Sequence, residues 1–470
     1  MESLKPLTPQ GAAEQQARLE KIHVLLTLSA ERLVQLESSF LKEMQRGLEM
    51  HKKHGIKWVP EECSMKMLDS CVSSVPTGEE KASSYAIDFG GSTVRAVHCE
   101  LRGSGIIDTQ QDKVCLKSKE YPCKKGLMDR EAHGSHLFNE FALCARGLMM
   151  KAGDLAVRDA SDPLPVGFTF SFPCCQTALG HATLMEWTKG FETGRNSHDQ
   201  VEGRDVADLL NSAFERIKLP AKCTAVVNDT VGTLVSCAYQ KPQGTPDCLV
   251  GLIVGTGTNC CYVEPEAAKY GYVGKIINLE SGNFNKDLPL TDIDIEVDEQ
   301  SHNTGKQKFE KFISGYYIGD LVRVGVQRVF QDRAPSRVRV RHSMPGEIAS
   351  RILDDVSETK EATIAALKEC WEVQVDLEDA RCIHQICKYV FERSAAMVAV
   401  SIAALCKRTG MLHKGITVGV DGALYIKNKW YQERVRYYVD AITGSEGKNV
   451  HMCIADDGSG KGAALIAALS

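Results

Sequence analysis

The chain has 470 residues, 43% hydrophobic and 25% charged, with a formal net charge of −5. That length exceeds one core and predicts two or three domains, and the charge balance excludes a footprint for nucleic acid or an anionic membrane. The 18 cysteines form no CxxC pattern and include two adjacent pairs, Cys174–Cys175 and Cys260–Cys261, so reduced thiols, no zinc site and a cytoplasmic location are expected.

In chain order, the N-terminus "MESLKPLTPQGAAEQQ" lacks the basic flank and apolar stretch of a secretory signal. From 11 to 50, Leu19, Ile22, Leu26, Leu33, Leu36, Phe40, Met44 and Leu48 recur at helical steps and predict one amphipathic helix lying on the body of the protein. Residues 70–84 are small and polar and read as a linker. "SYAIDFGGSTVRAVHCEL" (84–101) reads as a strand running into Asp88, a turn at Gly90–Gly91, and a returning strand. "CLVGLIVGTGTNCCYVE" (248–264) repeats that unit around Gly255 and Gly257. Helical segments follow each unit, which predicts a duplicated α/β architecture with a cleft between the halves. The basic run "RAPSRVRVRH" (333–342) reads as a solvated loop or edge strand. "AAMVAVSIAALC" (395–406) is a buried helix, short of the ~20 residues needed to span a bilayer.

Glycine permits close backbone approach, so converging N–H groups can cradle phosphate. Such loops occur near 88–95, 255–258, 419–422 and 458–462. "DGSGKGA" is not a Walker A motif, because Ala455 stands where its first glycine belongs and Gly462 follows Lys461. The protein-kinase segments and the dinucleotide fingerprint are absent as well.

Polar residues gather at other strand ends. "PVGFTFSFPCCQ" (165–176) carries Thr169 and Ser171; "LMEWTKGF" (184–191) sets Thr188 and Lys189 between Trp187 and Phe191. "AVVNDTVGTL" (225–234) ends a buried strand in Asn228 and Asp229, and Asn259, Glu280 and Glu310 follow. Hydroxyls, amides, a lysine and carboxylates suit a ligand dense in hydroxyl groups, each of which donates and accepts.

These blocks, in this order, with "GKQKFEKFISGYYIGDLVR", "ITVGVDGALY" and "DDGSGKGAALIAA", resemble the eukaryotic hexokinases over roughly residues 85–470, most of all the protozoan, apicomplexan type. The resemblance implies the actin-like ATPase fold. It places a small domain at 75–227, joined by the returning C-terminal helix 458–470, and a large domain at 228–457 on which the segment 1–74 packs. It further implies ATP-dependent phosphorylation of the 6-hydroxyl of glucose and other hexoses, with Asp229 as general base beside Lys189 and Arg95. The implied sugar shell is Ser171, Thr188, Lys189, Asn228, Asp229, Asn259, Glu280 and Glu310. The implied phosphate loops are Asp88, Gly90, Gly91, Ser92 and Arg95, then Gly255, Thr256 and Gly257; Asp88 would hold Mg²⁺ through water. Gly422, Gly458, Ser459 and Lys461 would face the nucleotide. No nucleic-acid or integral-membrane partner is expected; a homo-oligomer stays open.

The sequence also departs from the family. Ser92–Thr93 replace threonine–asparagine, Ser281–Gly282–Asn283 replace Trp-Gly-Ala, and 336–358 diverge, so adenine contacts do not carry over. The alternative is a non-catalytic hexose-binding sensor or scaffold on the same fold.

Overall fold

The computed structural model describes residues 2–55, 62–91, 93–116, 123, 125–156, 158–188 and 190–470. Two mixed sheets organise it. The five-stranded sheet runs in the spatial order Ile106–Cys115, Thr93–Gly103, Lys81–Phe89, Leu164–Phe170, Ala221–Val227. Its first three strands form an antiparallel meander, and the last two add in parallel. The six-stranded sheet repeats this plan with Ile276–Asn278, Thr258–Val263, Cys248–Val254, Ile416–Asp421 and Val450–Ile454. The short strand Leu68–Asp69 extends its outer edge. Two sheets with one internal order are the structural mark of duplication.

Each sheet hands its last strand to a helix, and the helices trade places. Asp229–Gln240 follows the five-stranded sheet but packs on the six-stranded one; Gly458–Ala468 does the reverse. Between them lies a core of small and branched residues including Val231, Leu234, Ala463 and Leu465. The helices touch at Gly232 and Gly462, where a Cβ on Gly462 would stand 2.0 Å from the Gly232 carbonyl oxygen. Only glycine permits that backbone approach.

Outside this seam, each half has its own core. Phe89, Phe138, Phe141, Phe168 and Trp187 fill the smaller lobe. The larger is built on Leu377–Arg408, the one helix among the described residues long and apolar enough to cross a membrane; 89% of its most apolar window is buried inside the protein. Two N-terminal helices, Pro9–Leu26 and Ala30–His54, lay their apolar stripe on this larger core.

Local chemistry corrects one expectation and decides between the alternatives of another. The single helix expected over 11–50 is broken. The Thr27 hydroxyl donates to the His23 carbonyl (2.7 Å), and the Ser29 hydroxyl accepts the Arg32 amide (3.2 Å), so one helix is closed and the next is capped. Of the two readings of the basic run 333–342, solvated loop or edge strand, the structure bears out the loop. It folds into two 3₁₀ turns, Gln331–Arg333 and Ser336–Arg339, with Val338 buried and Arg333 paired with buried Asp379 at 2.7 Å. Val338 anchors the run, while Val340, Arg337 and Arg339 stay exposed.

Candidate active site

A cleft of about 340 Å³ opens between the lobes, at the carboxyl ends of the parallel strands. The smaller lobe contributes Ser171 and Thr188, the larger Asn259, Glu280 and Glu310, and the seam Asn228 and Asp229. Residues scattered over about 140 positions of sequence therefore share one cavity.

Asn228 caps the helix Asp229–Gln240. Its Oδ1 accepts the Thr230 amide (3.0 Å) and hydroxyl (2.6 Å), which fixes the chain direction so that Asp229 enters the first helical turn facing the cavity. The same Oδ1 accepts Asn259 Nδ2 at 3.4 Å; Asn259 Nδ2 also donates to Asn278 Oδ1 (2.8 Å), and Asn278 Nδ2 donates to Glu280 Oε1 (3.0 Å). This amide relay orients the carboxylate. Glu280 is itself held at φ +53°, a left-handed conformation unfavourable for a side chain of its size and sustained by these bonds. Glu310 Oε2 accepts the Thr258 amide at 3.0 Å and lies 2.7 Å from where a Cβ on Gly257 would stand, so glycine there admits the carboxylate. Across the cleft, a Cβ on Gly90 would meet the Ser171 hydroxyl oxygen at 3.2 Å.

The glycine loops meet beside this cavity. Gly422, at φ +111°, faces the second hairpin turn, where a Cβ would stand 2.4 Å from the Val254 carbonyl. The Gly255 and Thr256 carbonyls accept the Gly315 (2.8 Å) and Tyr316 (3.2 Å) amides, so the helix Gly315–Phe330 props that turn from behind. Asp88 pairs with Arg95 on the partner strand and accepts the Ser459 hydroxyl at 3.0 Å. Arg95 also pairs with Asp457 at 2.6 Å. Burial opposes the Arg95 charge, but Asp88, Asp457 and Asp421 hold its guanidinium above the ordinary range. Burial pushes Asp457 up to about 6 against the pull of Arg95, with Asp88 and Asp421 adding to the rise. Burial likewise raises Asp421, and Asp229 contributes. Three aspartates thus converge on one arginine, and a fourth, Asp229, acts on Asp421.

Models of the hexokinase family match residues 249–469 and 18–239. The chain belongs to the hexokinase family. It is 61% identical to a hexokinase of Toxoplasma gondii over 99% of both chains, and 45% identical to one of Plasmodium falciparum over 96% of this chain and 92% of that one. The solved hexokinase of Schistosoma mansoni complexed with glucose superposes with a TM-score of 0.80 at 33% identity, covering 97% of this chain and all of the other. The protein is therefore a sugar-phosphorylating enzyme with the two-domain hexokinase fold.

Within that family frame, the residues of the sequence reading fall into place unevenly. Ser171, Thr188, Asn228, Asp229, Gly257, Asn259, Glu280 and Glu310 line the cleft. Asp88, Arg95 and Ser459 form one bonded group, and Gly255, Thr256 and Gly422 form the opposite turn. Gly91 has open space where a side chain would be, and Gly458 donates its amide to Asp421 at 3.1 Å. Lys461 is buried and donates to the Asp456 carbonyl at 2.6 Å. Lys189 and Ser92 lie outside the described residues.

Sequence reasoning missed several members. Asp421 and Asp457 each stand where a parallel strand runs into glycine, the pattern that singled out Asp88, and that pattern would have found them. Asn278, two residues before Glu280, carries no such signal. Neither do His302, Asn303 and Gln307, a cleft wall held by buried Lys311, whose ammonium donates to Asp298 (2.5 Å), Ser301 (2.9 Å) and the Asn303 carbonyl (3.0 Å).

Proposed function

We propose that the cleft transfers the γ-phosphoryl group of ATP to the 6-hydroxyl of glucose and related hexoses, with Asp229 as general base. One observation carries the reading: Asp229 enters a cavity lined with hydroxyl-binding groups, while its helix begins at the seam where the glycine loops meet. A sugar hydroxyl both donates and accepts, so carboxylates at Glu280 and Glu310 beside amides at Asn228 and Asn259 satisfy it in both senses. Ser171 and Thr188 close the shell from the opposite lobe, with Lys189 joining them by family resemblance.

In this reading Asp229 takes the proton of the attacking hydroxyl as the oxygen–phosphorus bond forms and the bond from the γ-phosphorus to ADP breaks. The rest of the barrier is positioning and charge. The loops at Gly90, Gly91 and Ser92 and at Gly255, Thr256 and Gly257 cradle the phosphates, the second loop held in shape by the Gly255 amide donating to the Gly257 carbonyl (3.0 Å); Arg95 offsets developing charge, and Gly422, Gly458, Ser459 and Lys461 serve the nucleotide side. A divalent cation fits the donor set: three aspartates oppose one arginine, and burial, with Asp88 and Asp421 adding, lifts Asp457 to about 6. Mg²⁺, a hard cation with oxygen ligands, would be held by Asp88 through water and would neutralise phosphate charge when bound. A cytoplasmic setting accords with the unpaired thiols.

Release of ADP on addition of glucose tests the reading. Asp229→Ala should lower kcat by roughly 10²–10⁴-fold, the usual contribution of a general base, with the fold intact by circular dichroism. Near-normal turnover would remove Asp229 from its role. A wild-type protein that binds glucose without releasing ADP would be a hexose sensor instead.

A further inference from the structure

At the end of the five-stranded sheet away from the cleft lies a second cavity, of about 840 Å³. It is lined by Pro163, Ala221 and Lys222, where the strands Leu164–Phe170 and Ala221–Val227 begin; at their other ends the same strands deliver Ser171 and Asn228 to the cleft. Strands of 7 residues therefore separate the two cavities, roughly 20 Å. No described residue lines both.

Four cations line the second cavity, Arg146, Arg158, Lys218 and Lys222, against two carboxylates, Asp159 and Glu215. Arg158 pairs with Asp162. Asp159 accepts the Ser161 hydroxyl (2.5 Å) and amide (2.8 Å), which hold its carboxyl below the ordinary range. Arg146, Lys218 and Lys222 form no ion pair or side-chain hydrogen bond among the described residues, and Glu215 alone is left to offset them. They come from separate elements: the helix Gly134–Ala152, the turn after the helix Val206–Arg216, and the strand Ala221–Val227. The pull of a helix C-terminus on cations accounts for one of the three at most, and Arg216 already occupies that last turn. Unpaired like charges on a concave surface concentrate potential for an incoming anion.

Lys218 adds a backbone observation. It stands at φ +53°, its amide donating to the Glu215 carbonyl (3.0 Å) and the next amide, of Leu219, to the Phe214 carbonyl (2.9 Å). Glycine normally takes that left-handed position; Gly153 does so, at φ +86°, for the neighbouring helix Gly134–Ala152. A lysine there strains the chain, and the cavity gives its side chain a use. The rest of the lining is apolar at Leu155, Pro163 and Leu219, while Asn211 spends its Oδ1 on the Cys223 amide (2.8 Å) and keeps an Nδ2 without a bond among the described residues. Apolar walls with a few convergent polar groups, at this volume, are the usual form of a small-molecule site.

We propose that this cavity binds a small phosphate monoester, with Arg146, Lys218 and Lys222 taking the phosphate and Leu155, Pro163 and Leu219 its apolar body. Lysine and arginine donate only, which suits an anion that only accepts. The inference does not depend on the chemistry proposed for the cleft. Free phosphate carries the same charge, but it leaves the apolar wall without a purpose.

Calorimetry on the full chain with phenyl phosphate and with inorganic phosphate separates those two sources. Wild type should bind phenyl phosphate more tightly. Arg146→Gln should weaken it by roughly ten- to a hundredfold, the weight of hydrogen bonds to a charged group, and Lys222→Gln by roughly tenfold. Lys218→Gly should also weaken it by roughly tenfold while raising Tm, since glycine relieves the left-handed backbone; binding lost in that variant is not folding lost. Glucose affinity should stay within about twofold in all three, because a sugar in the cleft does not sense the opposite strand ends. The proposal is overturned if wild type does not bind phenyl phosphate, if inorganic phosphate binds as tightly, or if all three variants keep the wild-type affinity. Glucose affinity falling in step with phenyl phosphate would place the anion in the cleft and overturn it as well.

Discussion

At the scale of single residues, the site is governed by crowded carboxylates. Asp88, Asp229, Asp421 and Asp457 end separate strands and converge because the parallel strands point the same way. Asp457 shows the cost. Its folded value of about 6 stands above the ordinary 3.8, with burial as the leading cause, so the folded state holds this proton more tightly than the unfolded chain. Its stabilising contribution is therefore fully present below 3.8 and lost as pH rises through about 6. The gap corresponds to roughly 3 kcal/mol, at about 1.4 kcal/mol per pH step. Without nucleotide or metal, Asp457→Asn should gain stability relative to wild type between pH 4 and 7, read from urea midpoints. Parallel curves for the two proteins would show that Asp457 titrates normally.

At the scale of elements, the crossing of Asp229–Gln240 and Gly458–Ala468 holds the seam. In an ordinary helix interior, Gly→Ala is stabilising by up to ~1 kcal/mol. At Gly462 a Cβ would stand 2.0 Å from a carbonyl oxygen of the opposing helix, and backbone cannot give way as a side chain can. Gly462→Ala should therefore destabilise by on the order of 3 kcal/mol, the upper range for overpacking, measured by denaturant titration. A stabilised variant would mean that the helices do not cross there. Because Asp229 opens one of these helices and Ser459 sits in the first turn of the other, parting them should also reduce turnover in the folded fraction.

At the scale of the molecule, the proposed shell is split between lobes with separate cores, so a sugar bound to both should draw them together. Lys66, between Met65 and Met67 of the larger core, already reaches Glu186, beside Trp187 of the smaller, at 3.0 Å across the cleft. Such a partly exposed pair is worth only ~0.2–1 kcal/mol, so it guides closure without fixing it. Closure would exclude water that could otherwise accept the phosphoryl group. Small-angle scattering should show a smaller radius of gyration with saturating glucose. An unchanged profile would mean that the lobes are already closed or do not move.

Much of this was legible in the residues alone. Strand ends announce themselves by branched apolar runs meeting Asp, Asn or Gly, so both glycine hairpins, the duplicated α/β class and the cleft residues from Ser171 to Glu310 could be read locally. Pairings between distant segments could not. The contact of Gly232 with Gly462, the relay from Asn228 to Glu280 and the gathering of Asp88, Asp421 and Asp457 on Arg95 join positions far apart in sequence, and no local periodicity encodes them. Even the break at Thr27–Ser29 was masked by an apolar stripe that continues on both sides. Sequence determined which groups stand at the ends of strands, because backbone and burial preferences act over a few residues. Tertiary structure decided which of those groups meet and at what charge, because proximity and burial are properties of the packed whole.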